Sequence, residues 1–283
     1  METILEGTKT LVCIAPDRPT VLIGERINPT GRKRLAAELV AGNIAIVKEE
    51  ALTQVESGAD VIDVNVGAAG VDQATVLPRA VEMVQEVVEV PISIDTADPV
   101  ALEAALKVCQ GKALVNSVNG EEETLNRVLP LVARYKAAVI GLCMDEEGIP
   151  SEPQKRKEIA NKILKRAQDL GIPQEDVLID CLALTVSADQ KAALSTLETI
   201  RKVRAELGVN MTLGASNVSF GMPDREVINA VYLAIAIREG VNAPIVNAAH
   251  VRQAILAIDV LLGRDEYAQK YIKYFREKPT GEK

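Results

Sequence analysis

The stretch Val61-Ile62-Asp63-Val64-Asn65-Val66 alternates apolar and polar side chains over the length of one strand. Successive side chains of a strand point to opposite faces, so Asp63 and Asn65 share a face opposite the apolar pair. Amphipathic stretches of helix length flank it, over 44–57 and over 72–88. We therefore predict that this stretch is the strand of a βα unit, with its polar face pointing away from the helices.

The same unit recurs along the chain. Short β-branched runs alternate with amphipathic stretches roughly every 25–40 residues, which is typical of a parallel sheet covered by helices. Eight such units in 283 residues predict an α/β fold of the (β/α)8 TIM barrel type. The predicted strands are Val21–Gly24, Val61–Val66, Ile92–Asp95, Ala113–Asn116, Ala138–Met144, Val177–Asp180, Met211–Ser216 and Ala243–Asn247. The predicted helices cover 44–57, 72–88, 99–109, 121–135, 154–170, 191–207, 224–239 and 251–262.

No stretch rich in Pro, Gly or Ser marks a boundary inside the chain, so we expect one domain over 1–283. Residues 1–20 precede the first unit and are predicted as an extension, a hairpin that closes the bottom of the barrel. Residues 263–283 are predicted as a C-terminal tail helix.

Composition and charge argue against several classes of function. The net charge of −8 disfavours nucleic acid and anionic membrane surfaces, because both attract clustered Lys and Arg. Apolar runs are only strand-length, so no transmembrane helix is predicted. The four cysteines form no Cys-x-x-Cys, which favours a reducing cytoplasm without structural disulfides. With His250 as the single histidine, no metal site is predicted.

Polar side chains end every predicted strand. In a parallel barrel these carboxyl ends form the active-site face. Some such residues instead cap the next helix, and Asp98 and Asp224 are the better capping candidates. A carboxylate inside a barrel is costly to bury, so we expect the others to bind a ligand. The residues are Glu25, Asn28, Asp63, Asn65, Asp95, Asn116, Asp145, Asp180, Ser216, Asn217 and Asn247.

This set is rich in hydrogen-bond acceptors and poor in cations. The last two strand ends, Gly214–Asn217 and Asn247–His250, have no adjacent Lys or Arg of the kind expected for a sugar phosphate. A ring with several N–H donors fits better, and a pterin is such a ring. Its 2-amino and N3–H groups can pair with both oxygens of one carboxylate.

Several blocks of the chain, in order, carry a family resemblance: Gly24–Gly31, Asp63–Gly67, Ser93–Thr96, Val115–Ser117, Gly141–Pro150, Ile179–Asp180 and Gly214–Ser219. They resemble the pterin-binding methyltransferases, which include methyltetrahydrofolate:corrinoid protein methyltransferase and the folate domain of cobalamin-dependent methionine synthase. The resemblance extends from about Val21 to Arg276 and implies a barrel like that of dihydropteroate synthase. The blocks are specific as a set, whereas any one alone would be weak.

The resemblance also implies roles for individual residues. Asp95, Asn116 and Asp180 look like the family's pterin anchors, with Asp63, Asn65 and Glu25 completing the pterin-binding set. Asn217 looks like the catalytic residue, whose amide hydrogen-bonds near the reactive N5 of the folate. Phe220 stands where some members carry Gln and where the methionine synthase branch carries an aromatic residue, and it receives no role.

The implied reaction moves a methyl group between N5 of tetrahydrofolate and the cobalt of a cobalamin (corrinoid). This chain lacks the Asp-x-His-x-x-Gly motif that ligates such a cobalt, since His250 lies between Ala249 and Val251. The corrinoid is therefore expected on a separate partner protein. The resemblance further implies a homodimer and an anaerobic cytoplasm. It leaves the direction of transfer open.

Three alternatives stay open at the level of sequence. Dihydropteroate synthase shares the barrel and pterin pocket, but it needs a Lys on the late strands and a Ser-Arg-Lys-like segment, and this chain has Leu213–Asn217 there, with no Lys. A non-catalytic folate-binding barrel is disfavoured by the complete polar rim. An aldolase barrel would need a Schiff-base Lys at a strand end, and Lys112 precedes the fourth strand instead.

Overall fold

Eight parallel strands close into a barrel in the computed structural model, which describes residues 1–277. The predicted (β/α)8 barrel is confirmed. The last part of the predicted tail, 278–283, lies outside the described residues. Strands β1 and β2 pair with each other outside the barrel, and the other eight form it in the order β10-β3-β4-β5-β6-β7-β8-β9. The strands are β1 (Thr3–Glu6), β2 (Leu11–Ile14), β3 (Ile23–Ile27), β4 (Val61–Val64), β5 (Ile92–Asp95), β6 (Leu114–Asn119), β7 (Ala138–Leu142), β8 (Val177–Asp180), β9 (Met211–Gly214) and β10 (Ala243–Val246).

Helices follow the barrel strands and cover their outer surface. Each of the eight helices predicted between residues 44 and 262 is present, with ends that differ from the prediction by at most three residues, and the predicted tail helix begins only at Gln269. Short 3₁₀ helices lie at Gln174–Asp176, Ala215–Ser219 and Glu266–Ala268. The α-helices are α1 (Lys33–Val40), α2 (Ala45–Glu56), α3 (Gln73–Gln85), α4 (Pro99–Val108), α5 (Glu122–Tyr135), α6 (Pro153–Asp169), α7 (Ala192–Glu206), α8 (Arg225–Glu239), α9 (Ala248–Leu261) and α10 (Gln269–Glu277).

The barrel interior changes from apolar to polar along the strands. Partners in register on neighbouring parallel strands point to the same side, and Asp180 is in register with Thr212. Two positions before Asn116 and Asp180 lie Leu114 and Leu178, both fully buried in the lower barrel. The lower interior is therefore an apolar floor, and the polar side chains lie above it at the carboxyl ends.

The N-terminal hairpin closes the other end of the barrel. Leu5 and Ile14 of β1 and β2 are fully buried and pack in one apolar cluster with Val61 and Leu114, which begin two barrel strands. The Asn210 side chain, just before β9, donates to the Ile14 carbonyl at 2.9 Å. These contacts explain why the extension is ordered, because it covers apolar side chains that would otherwise face water.

Helix α1 was not predicted. It lies between β3 and α2 and buries Leu35 and Leu39, four residues apart on one face. Its N-terminus has no side-chain cap, and it is only 8 residues long, so it carries few of the signals that mark a helix in sequence.

Of the two predicted capping residues, only Asp98 caps a helix. Its side chain accepts a hydrogen bond from the Val100 N–H at 2.9 Å. Asp224 precedes α8 with a left-handed backbone, φ 46°, and its side chain makes no capping bond, so that prediction is wrong. Within residues 1–277, no helix has the length and apolar character needed to cross a membrane.

Candidate functional site

Four of the predicted pterin-binding residues form one hydrogen-bonded cluster at the ends of β4, β5 and β6. Asp63 is its centre: Asn116 Nδ2 donates to Asp63 Oδ1 at 3.1 Å, and the Asp63 and Asp95 carboxyls are hydrogen-bonded to each other. The Asn65 amide in turn bonds Asp95. The predicted shared face of Asp63 and Asn65 is thus confirmed, since both side chains bond Asp95.

A fifth residue of the cluster, Ser93, was not among the predicted site residues. Its hydroxyl is fully buried and donates to Asp63 Oδ1 at 2.6 Å. Sequence could have identified it, because Ser93 lies two positions before Asp95 and therefore on the same face of β5.

The pKa values of Asp63 and Asp95 are both raised above their usual range. Burial raises the pKa of Asp63 well above its usual range, and the nearby Asp95 charge raises it further. Burial also raises the pKa of Asp95, but there the hydrogen bonds from Asn65 and Asp63 oppose the shift. The pKa of Asp63 is raised more strongly, so we expect Asp63 to keep a shared proton and Asp95 to accept donors from a ligand.

Asp180 belongs to a second group at the ends of β8 and β9. Its Oδ1 accepts from the Leu182 N–H at 2.7 Å and its Oδ2 from the Gly214 N–H at 3.3 Å. Burial raises the pKa of Asp180 to about 6, against the effect of these two donors. Asp180 is therefore a buried carboxylate at neutral pH, with a small margin against protonation.

Asn217 lies beside this second group, on the 3₁₀ helix that follows β9. Its side-chain nitrogen approaches Gly214, where an added Cβ would lie 3.3 Å from it. Asn217 is exposed, and no hydrogen bond of its side chain is found among the described residues. The amide is therefore free to bond a molecule bound at this end of the barrel.

Glu25 belongs to a third group at the ends of β3, β9 and β10. It accepts a hydrogen bond from the Ser216 hydroxyl at 3.1 Å and one from the Asn247 backbone N–H. Burial raises its pKa, and these bonds together with Arg26 and Arg225 act against the rise. The group lines a cavity of about 560 Å³.

Two arginines lie near the last two strand ends in the folded chain. Arg26 and Arg225 both line the cavity with Glu25, although neither adjoins those ends in sequence. Arg225 is held in place by hydrogen bonds to Ser219 Oγ at 3.0 Å and to the Ser216 carbonyl at 2.7 Å. The site therefore offers positive charge at one side as well as carboxylates.

The residues without an assigned role lie at the rim. Phe220 is 67% exposed, with the Arg225 guanidinium 5.9 Å from its ring centre. His250, at the start of α9, lies 2.9 Å from the Glu226 carboxylate and lines the same cavity as Glu25. Within residues 1–277, no group of His, Cys, Asp and Glu has the arrangement of a metal site. All four cysteines are free thiols.

Comparison with known proteins decides the family. The family model described as pterin binding enzyme matches residues 24–247, which span the barrel from β3 to β10. The chain belongs to the pterin-binding enzyme family. This match includes each group of strand-end residues described above, so the carboxylates lie within the part of the chain that defines the family rather than in an appended segment.

Two relatives of this pterin-binding enzyme are similar in sequence. The methylcorrinoid:tetrahydrofolate methyltransferase of Eubacterium limosum is 30% identical over 271 residues, which cover 92% of this chain and 98% of that protein. The methionine synthase of Mycobacterium tuberculosis is 30% identical over 263 residues, 88% of this chain but only 22% of that protein.

Solved structures similar to this pterin-binding enzyme show its fold. The dihydropteroate synthase of Yersinia pestis, bound to a pterine-sulfa conjugate, superposes with a TM-score of 0.71 at 16% identity over 92% of this chain and 100% of that one. The synthase of Thermus thermophilus has a TM-score of 0.66 at 22% identity over 91% of this chain and 99% of that one. The barrel is thus that of dihydropteroate synthase, and at these identities the likeness concerns the fold alone.

Proposed function

We propose that this protein is a methyltransferase that moves a methyl group between N5 of tetrahydrofolate and the cobalt of a corrinoid on a separate protein. The observation that carries the proposal is the near full-length similarity to a protein named methylcorrinoid:tetrahydrofolate methyltransferase. The arrangement of Asp95, Asp180 and Asn217 supports it, because carboxylates and a free amide lie at the same end of one barrel.

The two buried carboxylates suit the donors of a pterin. We expect Asp95 to be the ionised member of its pair, because hydrogen bonds from Asn65 and Asp63 oppose the rise of its pKa, and Asp180 presents a carboxylate fixed by two backbone N–H groups. Charge-assisted hydrogen bonds from ring N–H groups to such carboxylates are about twice as strong as neutral ones. Asn116 bonds Asp63 and Asn65 bonds Asp95, and these two hydrogen bonds position the pair. This end of the barrel therefore binds the ring in one orientation.

Asn217 is proposed to act on N5. When the methyl carbon passes to Co(I), the N5–carbon bond breaks, its electron pair stays on nitrogen, and N5 must gain a proton or a strong hydrogen bond. A donor that bonds N5 mainly as charge develops lowers the activation free energy of transfer without tightening folate binding. The exposed and unpaired Asn217 amide can make such a bond.

We also propose that the protein is a homodimer and that it acts in an anaerobic cytoplasm. Helix α8 carries three exposed apolar side chains, Val227, Val231 and Ile235, at intervals of four residues. Exposed apolar side chains on one helix face favour a protein interface, and we propose that this stripe pairs two copies in a homodimer. An anaerobic cytoplasm is proposed as the compartment, because Co(I) reacts with oxygen and because the four cysteines are free thiols.

An anaerobic turnover assay tests the reaction. Purified protein is mixed with methyltetrahydrofolate and Co(I) cobalamin, and formation of methyl-Co(III) is followed by visible absorbance. We expect turnover, and we expect Asn217→Ala to lower the rate by about 100-fold or more while changing the folate dissociation constant little. Asn43→Ala is the control, since Asn43 is an exposed residue that is bonded to Glu38 and belongs to none of the three strand-end groups.

Three outcomes would count against the proposal. Absence of folate binding would refute the pterin site itself. Folate binding without turnover, even with candidate corrinoid proteins from the same genome, would support a binding-only barrel. Equal loss of folate affinity and rate in Asn217→Ala would refute the role assigned to that amide.

A further inference from the structure

Arg156 of α6 is a fully buried arginine without an acidic partner. Its residue exposure is 0%, and no carboxylate lies within ion-pair distance of it among residues 1–277. Burying a guanidinium is costly unless its donors are satisfied, and buried arginines are usually paired with acids. The guanidinium is instead bonded almost wholly to backbone carbonyls, so its position needs an explanation.

The hydrogen-bond acceptors of the Arg156 side chain lie on three separate segments of the chain. Nε donates to the Pro150 carbonyl at 2.6 Å, in the loop before α6. One terminal nitrogen donates to the carbonyls of Cys181 and Leu182 at 2.9 and 3.1 Å, and to Thr196 Oγ1 of α7 at 3.2 Å. The guanidinium therefore connects the loop before α6, the start of α7 and the two residues that follow β8.

Leu182, one of the two residues that follow β8, also bonds the Asp180 carboxylate. The Leu182 N–H donates to Asp180 Oδ1 at 2.7 Å, while the Leu182 carbonyl accepts from Arg156. Leu182 has a φ of 61°, a left-handed conformation that a leucine rarely adopts and that the surrounding contacts must hold. The Cys181–Leu182 turn thus connects the buried Arg156 guanidinium to the Asp180 carboxylate inside the barrel.

We propose that Arg156 is a positioning residue, which fixes the Asp180 carboxylate for the pterin by holding the Cys181–Leu182 turn. The inference rests on the proposed function, since it assumes that Asp180 binds the ring. Arg156 touches neither substrate nor reacting atoms, and its effect passes through the turn and through its charge.

The charge of Arg156 acts on the ionisation of Asp180. Burial raises the pKa of Asp180 to about 6, while the Leu182 and Gly214 N–H groups and the Arg156 charge lower it. The other titratable groups around this turn are Tyr232 of α8 and the thiols of Cys143 and Cys181. Burial raises the pKa of Tyr232, and a hydrogen bond with the Cys143 thiol together with burial raises that of Cys181, so both are neutral.

The pH dependence of folate binding separates positioning from simple packing. Methyltetrahydrofolate affinity is measured by calorimetry from about pH 5.5 to about pH 8.5 for the wild type, Arg156→Met, Arg156→Lys and Arg166→Met. Arg166→Met is the matched control, because Arg166 is on the same helix but forms a surface pair with Glu122.

We expect Arg156→Met to bind folate about tenfold more weakly at pH 7 and to move the acidic fall in affinity upward by about one pH unit. Arg156→Lys keeps the charge but cannot bond both Pro150 and the turn, so it weakens binding with a smaller shift in the acidic fall. Arg166→Met leaves both the affinity at pH 7 and the position of the acidic fall unchanged.

A folded Arg156→Met with wild-type affinity and pH dependence would overturn the proposal. If Arg156→Met does not fold, wild-type affinity in Arg156→Lys would overturn it instead.

A measurement without ligand keeps this inference distinct from the proposed function. The carboxyl carbon of Asp180 is followed by NMR titration in the unliganded protein and assigned by its loss in Asp180→Asn. We expect its midpoint to rise in Arg156→Met, and an unmoved midpoint would refute the electrostatic part. If the wild type binds no folate, the proposed function fails, whereas the titration still decides whether Arg156 controls Asp180.

Discussion

Asp63 and Asp95 are adjacent carboxyls whose pKa values are both raised, and their hydrogen bonds favour Asp63 as the one that keeps a shared proton. Asp63 Oδ1 already accepts from Ser93 and Asn116, so the oxygen that remains is the one that can donate to Asp95. A neutral acid has the same donor and acceptor pattern as an amide. Substituting each residue by Asn therefore distinguishes the acid from the carboxylate.

We expect Asp63→Asn to bind methyltetrahydrofolate within about threefold of the wild type, because an amide reproduces a neutral acid. Asp95→Asn should weaken binding by about tenfold or more, because it removes the charged acceptor. Calorimetry at neutral pH measures both. A larger loss in Asp63→Asn than in Asp95→Asn would mean that the assignment is reversed, and similar losses in the two variants would refute a difference in protonation between them.

Asp180 should make folding stability depend on pH. Its folded pKa is about 6, above the ordinary value of 3.8, so the folded state binds the proton more tightly than the unfolded state. Stability from this group is full below about pH 3.8 and is lost as pH rises through about 6, by about 3 kcal/mol in total. The side chain of Asp180→Asn does not titrate, so this variant does not lose stability in that way as pH rises.

The melting temperature of Asp180→Asn relative to the wild type should therefore rise between about pH 4 and about pH 8. Thermal unfolding followed by circular dichroism gives this difference at each pH. Comparing the two proteins at the same pH removes the contribution of all other titrating groups. A difference that is constant with pH would show that Asp180 has an ordinary pKa in the folded protein.

At the scale of secondary-structure elements, the N-terminal hairpin is part of the barrel's core. Leu5 of β1 is fully buried against the apolar floor, whereas Leu11 of β2 is 71% exposed. The two leucines are thus a matched pair on one hairpin. The polar strand ends lie at the opposite end of the barrel, so the hairpin should affect stability without affecting the site.

We expect Leu5→Ala to lower the free energy of unfolding by about 2–5 kcal/mol, the usual cost of a cavity at a buried leucine. Leu11→Ala should change it by no more than about 0.5 kcal/mol. Urea unfolding measures both, and folate affinity should stay unchanged in each variant. A small effect of Leu5→Ala would mean that the hairpin packs loosely on the floor.

At the scale of the whole molecule, the stripe on α8 concerns assembly. Val231 is at its centre and is 57% exposed. Placing a charge at the centre of an apolar interface leaves that charge buried and unpaired in the dimer, which costs more than the contact gains.

We expect Val231→Lys to convert the dimer to a monomer in sedimentation velocity, with its circular dichroism unchanged. Val100→Lys is the control, since Val100 is similarly exposed at 63% but lies on α4, away from the stripe. A wild-type protein that sediments as a monomer, or a Val231→Lys variant that stays dimeric, would refute an interface on α8.

The sequence alone determined the barrel and the direction in which its strand residues point. Alternation along Val61–Val66 predicted that Asp63 and Asn65 share a face, and the helix ends followed from local periodicity. These features depend on residues a few positions apart, whose relation is set by the geometry of a strand or a helix. Helix α1 was missed because its local signals are weak.

Only the tertiary structure decided which polar residues meet and what charge they carry. Ser216 bonds Glu25 from 191 residues away, and Arg225 lies near that carboxylate although no local pattern links them. In the sequence nothing distinguishes Arg156 from the other cations of an amphipathic helix. In the structure it is fully buried and bonds the carbonyl of Cys181, the residue after Asp180. Protonation depends on burial and on neighbours brought together by barrel closure, and the order of residues along the chain does not specify these quantities.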